Sequence, residues 1–285
     1  MDPGPLRDGL TVLLGGLTGA LSGLFGVGGA VISTPGIRAL GASAVVAVGT
    51  TLPSIIPGAA SGALRYRREG LIDVRSVAWA APAGAVAAIG GSLLSDVTPG
   101  DGHLLMLLTA ALLGWSAWRT YGSSRSLAGV PGAEAETDDL AGDPPSAAGP
   151  GQAPVVGDPP AASARLMGVG AVAGLLSGLL GVGGGIVMVP GFTHFVQMPL
   201  KRAIATSLAC VAIFAVPGTI THALFGQVDW RFALLLAVGV VPGARLGAAL
   251  TVRADDARLR VVVAVFLGAT AVLYATGELV ALLAA

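Results

Sequence analysis

The sequence predicts an all-α, polytopic membrane protein of about eight transmembrane helices, built as two homologous four-helix repeats. Three observations predict it. Hydrophobic residues make up 54% of the 285-residue chain and charged residues only 11%, whereas soluble domains carry about 25% charge. Too little charge is present to cover a surface facing water. Apolar runs recur that reach the roughly 20 residues a helix needs to cross a bilayer. Finally, two copies of one phrase begin 155 residues apart: GALSGLFGVGGAVISTPG from Gly19 to Gly36, and GLLSGLLGVGGGIVMVPG from Gly174 to Gly191.

The first predicted segment, 10–36, follows the N-terminal stretch MDPGPLRDGL. Its apolar run is too long for a removable signal peptide and has no small-residue cleavage site, so it reads as a membrane helix. Segments 43–64, 74–95 and 102–121 complete the first half, residues 1–121. Segments 165–193, 202–225, 230–251 and 257–281 make the second, residues 165–285. Between them, 122–164 is rich in Pro, Gly, Ala and Ser and carries Glu134, Glu136, Asp138, Asp139, Asp143 and Asp158. With almost no large apolar residues it cannot offset the entropy of ordering, which predicts a disordered, acidic, water-exposed linker.

The internal repeat extends past the glycine phrase. AVGTTL at Ala47–Leu52 matches AIATSL at Ala203–Leu208, PGAASGAL at Pro57–Leu64 matches PGTITHAL at Pro217–Leu224, and GLIDVR at Gly70–Arg75 matches GQVDWR at Gly226–Arg231. Ile89-Gly90 and Leu113-Gly114 likewise pair with Leu246-Gly247 and Leu267-Gly268. Gene duplication accounts for so many matches in one order.

Orientation rests on Lys and Arg in short loops. With a cytoplasmic N-terminus and eight simple crossings, the inside collects Arg7, Arg65, Arg67, Arg68, Arg75, Arg119, Arg125, Arg165 and Arg231. The outside collects Arg38, Lys201, Arg202, Arg253, Arg258 and Arg260, a modest imbalance of nine to six. Four crossings per half make the repeats parallel. Inverted repeats need an odd number, for instance where a broken segment turns back. Both layouts stay open.

The glycine clusters are the main candidates for chemistry. Gly26, Gly28, Gly29 and, in the second copy, Gly181, Gly183, Gly184 and Gly185 allow positive φ and expose backbone amides. Irregular backbone survives in hydrocarbon only when buried in protein or lining a cavity, and matched breaks in two halves point to a transporter's binding site. A helix restarting after each break aims its first N–H groups and its positive dipole end at the break, which favours an anion. Tight helix crossing is the competing explanation, and it takes the upstream ridges Gly15, Gly19, Gly23 and Gly170, Gly174, Gly178. Pro35 and Pro190, just beyond, favour interrupted helices. A dinucleotide loop is disfavoured, because that motif requires a βαβ context.

Thr50, Thr51, Thr206 and Ser207 recur near the start of the second segment in each half. They are candidate hydroxyl donors, the alternative being that they cap or bond back to the helix. Arg245 is a formal charge inside a predicted span and is a candidate anion contact, helix lock or snorkelling residue. His194 and His222 read as interfacial histidines and His103 as a loop residue. Asp73 and Asp229 read as helix caps. Trp79, Trp115, Trp118, Tyr121 and Trp230 read as interfacial anchors, and Cys210 as a packed small hydrophobe. No nucleophile stands beside a base and no cluster has metal-ligand spacing, so neither an enzyme, a cofactor nor a bound metal is expected. Zero net charge without a basic stripe gives no sign of nucleic-acid binding.

The duplicated GxxSGxxGVGGG…P phrase with the downstream A-x-x-T-[TS]-L resembles the TauE/SafE family, often called sulfite exporters. The second copy, with MPLKRAIATSL at Met198–Leu208, is the closer match; the first has Ala30 where the glycines would continue. The resemblance implies a multi-pass transporter of bacterial plasma membranes that carries a small inorganic or organosulfur anion. The expectation is export of sulfite or an organosulfonate from a site between the halves, with alternating access by rocking. Protons remain an open coupling partner and the oligomeric state is open. A non-transporting accessory subunit is the alternative.

Overall fold

The computed structural model describes residues 4–97, 107, 110–111, 113–118, 159–181 and 183–284. The predicted linker as far as residue 158, most of segment 102–121, His103 and Tyr121 lie outside them. Among the described residues all regular structure is helical: α1 (Pro5–Phe25), α2 (Ala30–Ala39), α3 (Ala44–Arg68), α4 (Val74–Val97), α5 (Pro159–Leu180), α6 (Gly185–Phe195), α7 (Leu200–Leu224), α8 (Trp230–Arg253) and α9 (Asp256–Ala284). Residues 113–118 are helical as well. Seven of these helices are long and apolar enough to cross a membrane. α2 and α6, with 10 and 11 residues, are not.

Segments 10–36 and 165–193 therefore differ from the single broken spans expected of them. Each divides into a long helix, a glycine break and a short helix that turns back. Gly29 lies against Thr18 and Ser22, and Gly36 against Leu14, so α2 descends along α1. In the same way Gly184 lies against Ala173 and Ser177, and Gly191 against Val169, so α6 returns along α5. Pro35 and Pro190 sit inside these short helices.

That return sets the relative direction of everything downstream. Gly15, Gly19 and Gly23 face Leu236, Val240 and Ala244 in rising order, so α1 and α8 are parallel. Gly58 and Gly62 face Val240 and Ala244, which adds α3 to the set. Gly170, Gly174 and Gly178 face Ala80, Gly84 and Ala88, so α5 runs parallel to α4. Asp73 meets Thr206, and Gly84 meets Phe214, which adds α7. Between the sets the order reverses, since Leu52 meets Gly218 while Gly62 meets Leu208. The two repeats are inverted.

Lipid tails are as apolar as leucine, so helices gain little by hiding apolar surface from them and associate instead by close packing of small residues. The upstream glycine ridges serve that purpose. α1 of the first half packs on α8 of the second, and α5 of the second on α4 of the first, which interlocks the halves. Asp229 caps α8 by accepting from the amides of Arg231 and Phe232 at 3.0 and 3.2 Å. Asp73 accepts from the Arg75 amide and the Ser76 hydroxyl at 3.1 and 2.7 Å. At the flanks, the Tyr274 hydroxyl on α9 donates to the Val31 carbonyl of α2, and Ser116 donates to the Ile186 carbonyl of α6.

Inversion also re-sorts the basic residues. Arg65, Arg67, Arg68, Arg75, Arg165, Lys201, Arg202, Arg253, Arg258 and Arg260 stand at the end where α3 and α8 finish and α4, α5, α7 and α9 begin. The Lys201–Asp256 ion pair, 3.2 Å, joins two of those starts. Arg7, Arg38 and Arg231 stand at the other end, where Arg231 pairs with Asp8 at 2.8 Å. The near-even split obtained from eight simple crossings disappears.

Candidate functional site

The two glycine breaks meet in the interior. Gly26, Gly28 and Gly29 have φ of 71°, 85° and 80°, and Gly181, Gly183 and Gly184 have φ of 64°, 82° and 68°. This left-handed conformation costs other L-residues roughly 1–2 kcal/mol, which accounts for a run of glycines here. A Cβ placed on Gly28 would lie 3.6 Å from Gly183 Cα, and one on Gly185 would lie 2.6 Å from Val27 Cα. Both breaks are buried. Val211 of α7 reaches both, since its Cγ1 would lie 2.8 Å from a Cβ on Gly28 and 3.5 Å from one on Gly183.

Each break is also covered by the opposite half. Gly26 abuts the Ile204 carbonyl of α7, where a Cβ would come within 2.6 Å, and Gly181 abuts Val48 of α3. α2 begins after Gly29 and α6 after Gly184, both without a side-chain cap. The first amides of a helix have no intrahelical partner, and its dipole places positive potential there. Because the repeats are inverted, the N-termini of α2 and α6 converge on the crossing from opposite directions. The Gly185 amide donates to the Gly183 carbonyl at 2.8 Å. The amides of Gly28, Gly29 and Ala30 have no backbone partner among the described residues.

The predicted hydroxyls are all buried, but they divide by task. Ser207 donates to the Gly26 carbonyl at 2.9 Å and so touches the first break. Thr51 donates to its own Ala47 carbonyl at 2.6 Å and lies 3.3 Å from the Thr34 hydroxyl of α2. Thr50 accepts from the Asp229 amide at 2.9 Å, and Thr206 accepts from the Asp73 amide at 3.1 Å. These two hydroxyls tie each half to the turn of the other.

Arg245 stands apart from the breaks. Its side chain is exposed in an outward groove with Ser61, Arg65 and Arg68. His222, expected at an interface, is buried because the turn after α7 folds over it. Its Nδ1 lies 2.6 Å from Gln227 Oε1. Two further residues that are not among the sequence's candidates stand at the breaks: Ser22, against Gly29, and Ser177, against Gly184. The available signal was the serine of the repeated phrase, which hydropathy alone reads as one more small residue of the helix ridge.

Residues 11–274 match the family model described as sulfite exporter TauE/SafE. The chain is similar to the probable membrane transporter protein YunE of Bacillus subtilis (strain 168), 26% identical over 255 residues that cover 85% of this chain and 87% of that protein. It is also similar to a probable membrane transporter protein of Xylella fastidiosa (strain 9a5c), 28% identical over 246 residues covering 86% and 85%. No solved structure matches.

Proposed function

The chain belongs to the TauE/SafE family of multi-pass membrane transporters, and we propose that it exports sulfite or an organosulfonate across a bacterial inner membrane. The observation that carries this reading is the convergence of two uncapped helix N-termini on one buried crossing of glycine breaks. Backbone amides there supply donors without a fixed cation, so the anion is held and yet can leave. An inside-negative potential favours outward movement of an anion by ~2.3 kcal/mol per charge per 100 mV. Export then needs no coupled cation. Sulfite gains a proton near neutrality, so the pH dependence of flux reports which form moves.

The test is efflux of sulfite and of methanesulfonate from liposomes containing the purified protein. Flux above that of protein-free vesicles, rising with an interior-negative potential, is expected on the energetics above. Flux equal to protein-free vesicles for both anions overturns the reading.

The basic residues orient the transporter. Cytoplasmic loops carry the excess of Lys and Arg, so the end with Arg65–Arg68, Lys201 and Arg258 faces the cytoplasm and the start of α1 faces outward. In cells expressing single-cysteine variants, Leu6→Cys will react with a membrane-impermeant maleimide. Glu69→Cys will react only after permeabilisation. The opposite pattern overturns the assignment.

A further inference from the structure

A serine or threonine inside a membrane helix ordinarily donates back to the carbonyl one turn earlier. This chain does so repeatedly: Thr11 to Arg7, Thr51 to Ala47, Thr221 to Pro217, Thr251 to Gly247 and Thr270 to Phe266. Ser22 and Ser177 do not. Their side-chain oxygens are buried and have no hydrogen-bond partner among the described residues, and neither has that of Thr18. Ser22 and Ser177 are each 1% exposed and Thr18 0%.

Their place in the fold is specific. Ser22 and Ser177 occupy equivalent positions of the repeated phrase, four residues before the first glycine of each break. A Cβ on Gly29, the residue before α2, would lie 3.2 Å from Ser22 Cβ and 2.7 Å from Thr18 Cγ2. On Gly184, the residue before α6, it would lie 3.4 Å from Ser177 Cβ. Each free hydroxyl therefore sits against the N-terminus of a short helix with no side-chain cap, and at the first break the amides of Gly28, Gly29 and Ala30 also have no backbone partner among the described residues. A desolvated hydroxyl with nothing to bond is costly, and the same serine stands at this position in both halves.

We propose that Ser22 and Ser177, with Thr18 beside the first, are the hydroxyl contacts of a site at the crossing that takes a singly charged oxyanion. The inference rests on the transport reading above and deepens it. The surrounding contacts are Val27, Val48, Ile204, Val211 and backbone, so neutral dipoles alone offset the desolvation of the ion. That cost rises steeply with charge, which selects a monoanion such as hydrogensulfite or an alkanesulfonate over sulfate. The halves are unequal, because Ala173 stands in the second where Thr18 stands in the first.

Ser22→Ala, Ser177→Ala and the double variant test this in liposomes, read by the KM for methanesulfonate efflux and by the Tm of the anion-free protein. Each single change will raise KM about tenfold, the scale of one hydrogen bond to a charged group. Tm will stay level or rise, because no bond is lost in the empty protein. Sulfate will not compete with methanesulfonate in the wild type. Unchanged KM in all three variants, while Gly183→Leu abolishes flux, removes the serines from the site and leaves the transport reading standing. A lowered Tm with unchanged KM assigns them to packing and overturns the proposal. Wild-type protein that moves neither methanesulfonate nor sulfite overturns both readings.

Discussion

Gly174→Leu will yield a protein that fails to assemble its helices. A Cβ at this position would lie 2.5 Å from both the carbonyl carbon and the Cα of Gly84, which is backbone and cannot rotate aside. Separating α4 from α5 enough to seat a leucine also breaks the neighbouring contacts of Gly170 with Ala80 and Gly178 with Ala88. These close approaches are what holds helices together in lipid. The loss will exceed about 4 kcal/mol, the level reached only by severe core changes, against a total stability of roughly 5–15 kcal/mol. Size-exclusion chromatography in detergent will show the aggregate peak or no protein. Gly168→Leu is the control, since it lies on the same helix with nothing within 4 Å, and it will elute like the wild type. A sharp, wild-type-like peak for Gly174→Leu would mean that α4 and α5 are not in backbone contact.

Much of this architecture is written in the glycine phrase, and the rest needs partners far away in the chain. The phrase marks the breaks because φ near 80° at Gly28 and Gly29 costs other L-residues roughly 1–2 kcal/mol each, and its upstream ridge marks the helix contacts. The return of α2 is not legible. A glycine permits a turn without stating its direction, and Pro35 sits comfortably inside the short helix. The direction comes from contacts with Thr18 and Leu14, which hydropathy does not register. Without that direction the sequence leaves parallel and inverted repeats open, and eight simple crossings spread the arginines over both ends. The threonines illustrate the same limit. Thr50 and Thr206 carry the repeat signal, but their partners are amides 179 and 133 residues away, so a donor and a tie look alike in sequence. Arg245 does lie within the apolar span of α8, but its face of that helix points outward, away from the breaks, which apolar flanks do not register.

Gly183→Leu will abolish anion flux while the protein stays folded, and the geometry separates that result from simple damage. Gly183 has φ of 82°, so any side chain there carries a strain of roughly 1–2 kcal/mol. Its Cβ would rest 3.4 Å from the Val27 carbonyl oxygen, 3.5 Å from Val211 Cγ1 and 3.6 Å from Gly28 Cα, all ordinary contact distances. The first carbon therefore fits, and the remaining three of leucine must enter the space where the two breaks face each other. Gly183→Ala will accordingly fold and lose part of its flux, while leucine removes flux to the protein-free level. Strain alone is tested at Gly70, whose φ is 66° and which has nothing within 4 Å; Gly70→Leu will carry a similar backbone penalty and transport normally. Methanesulfonate efflux and Tm measured on the three variants decide the matter. Should Gly183→Leu keep wild-type flux, the crossing of the breaks is a packing joint and the anion passes elsewhere. Should Gly70→Leu lose flux as well, backbone strain rather than occupancy of the crossing explains the effect.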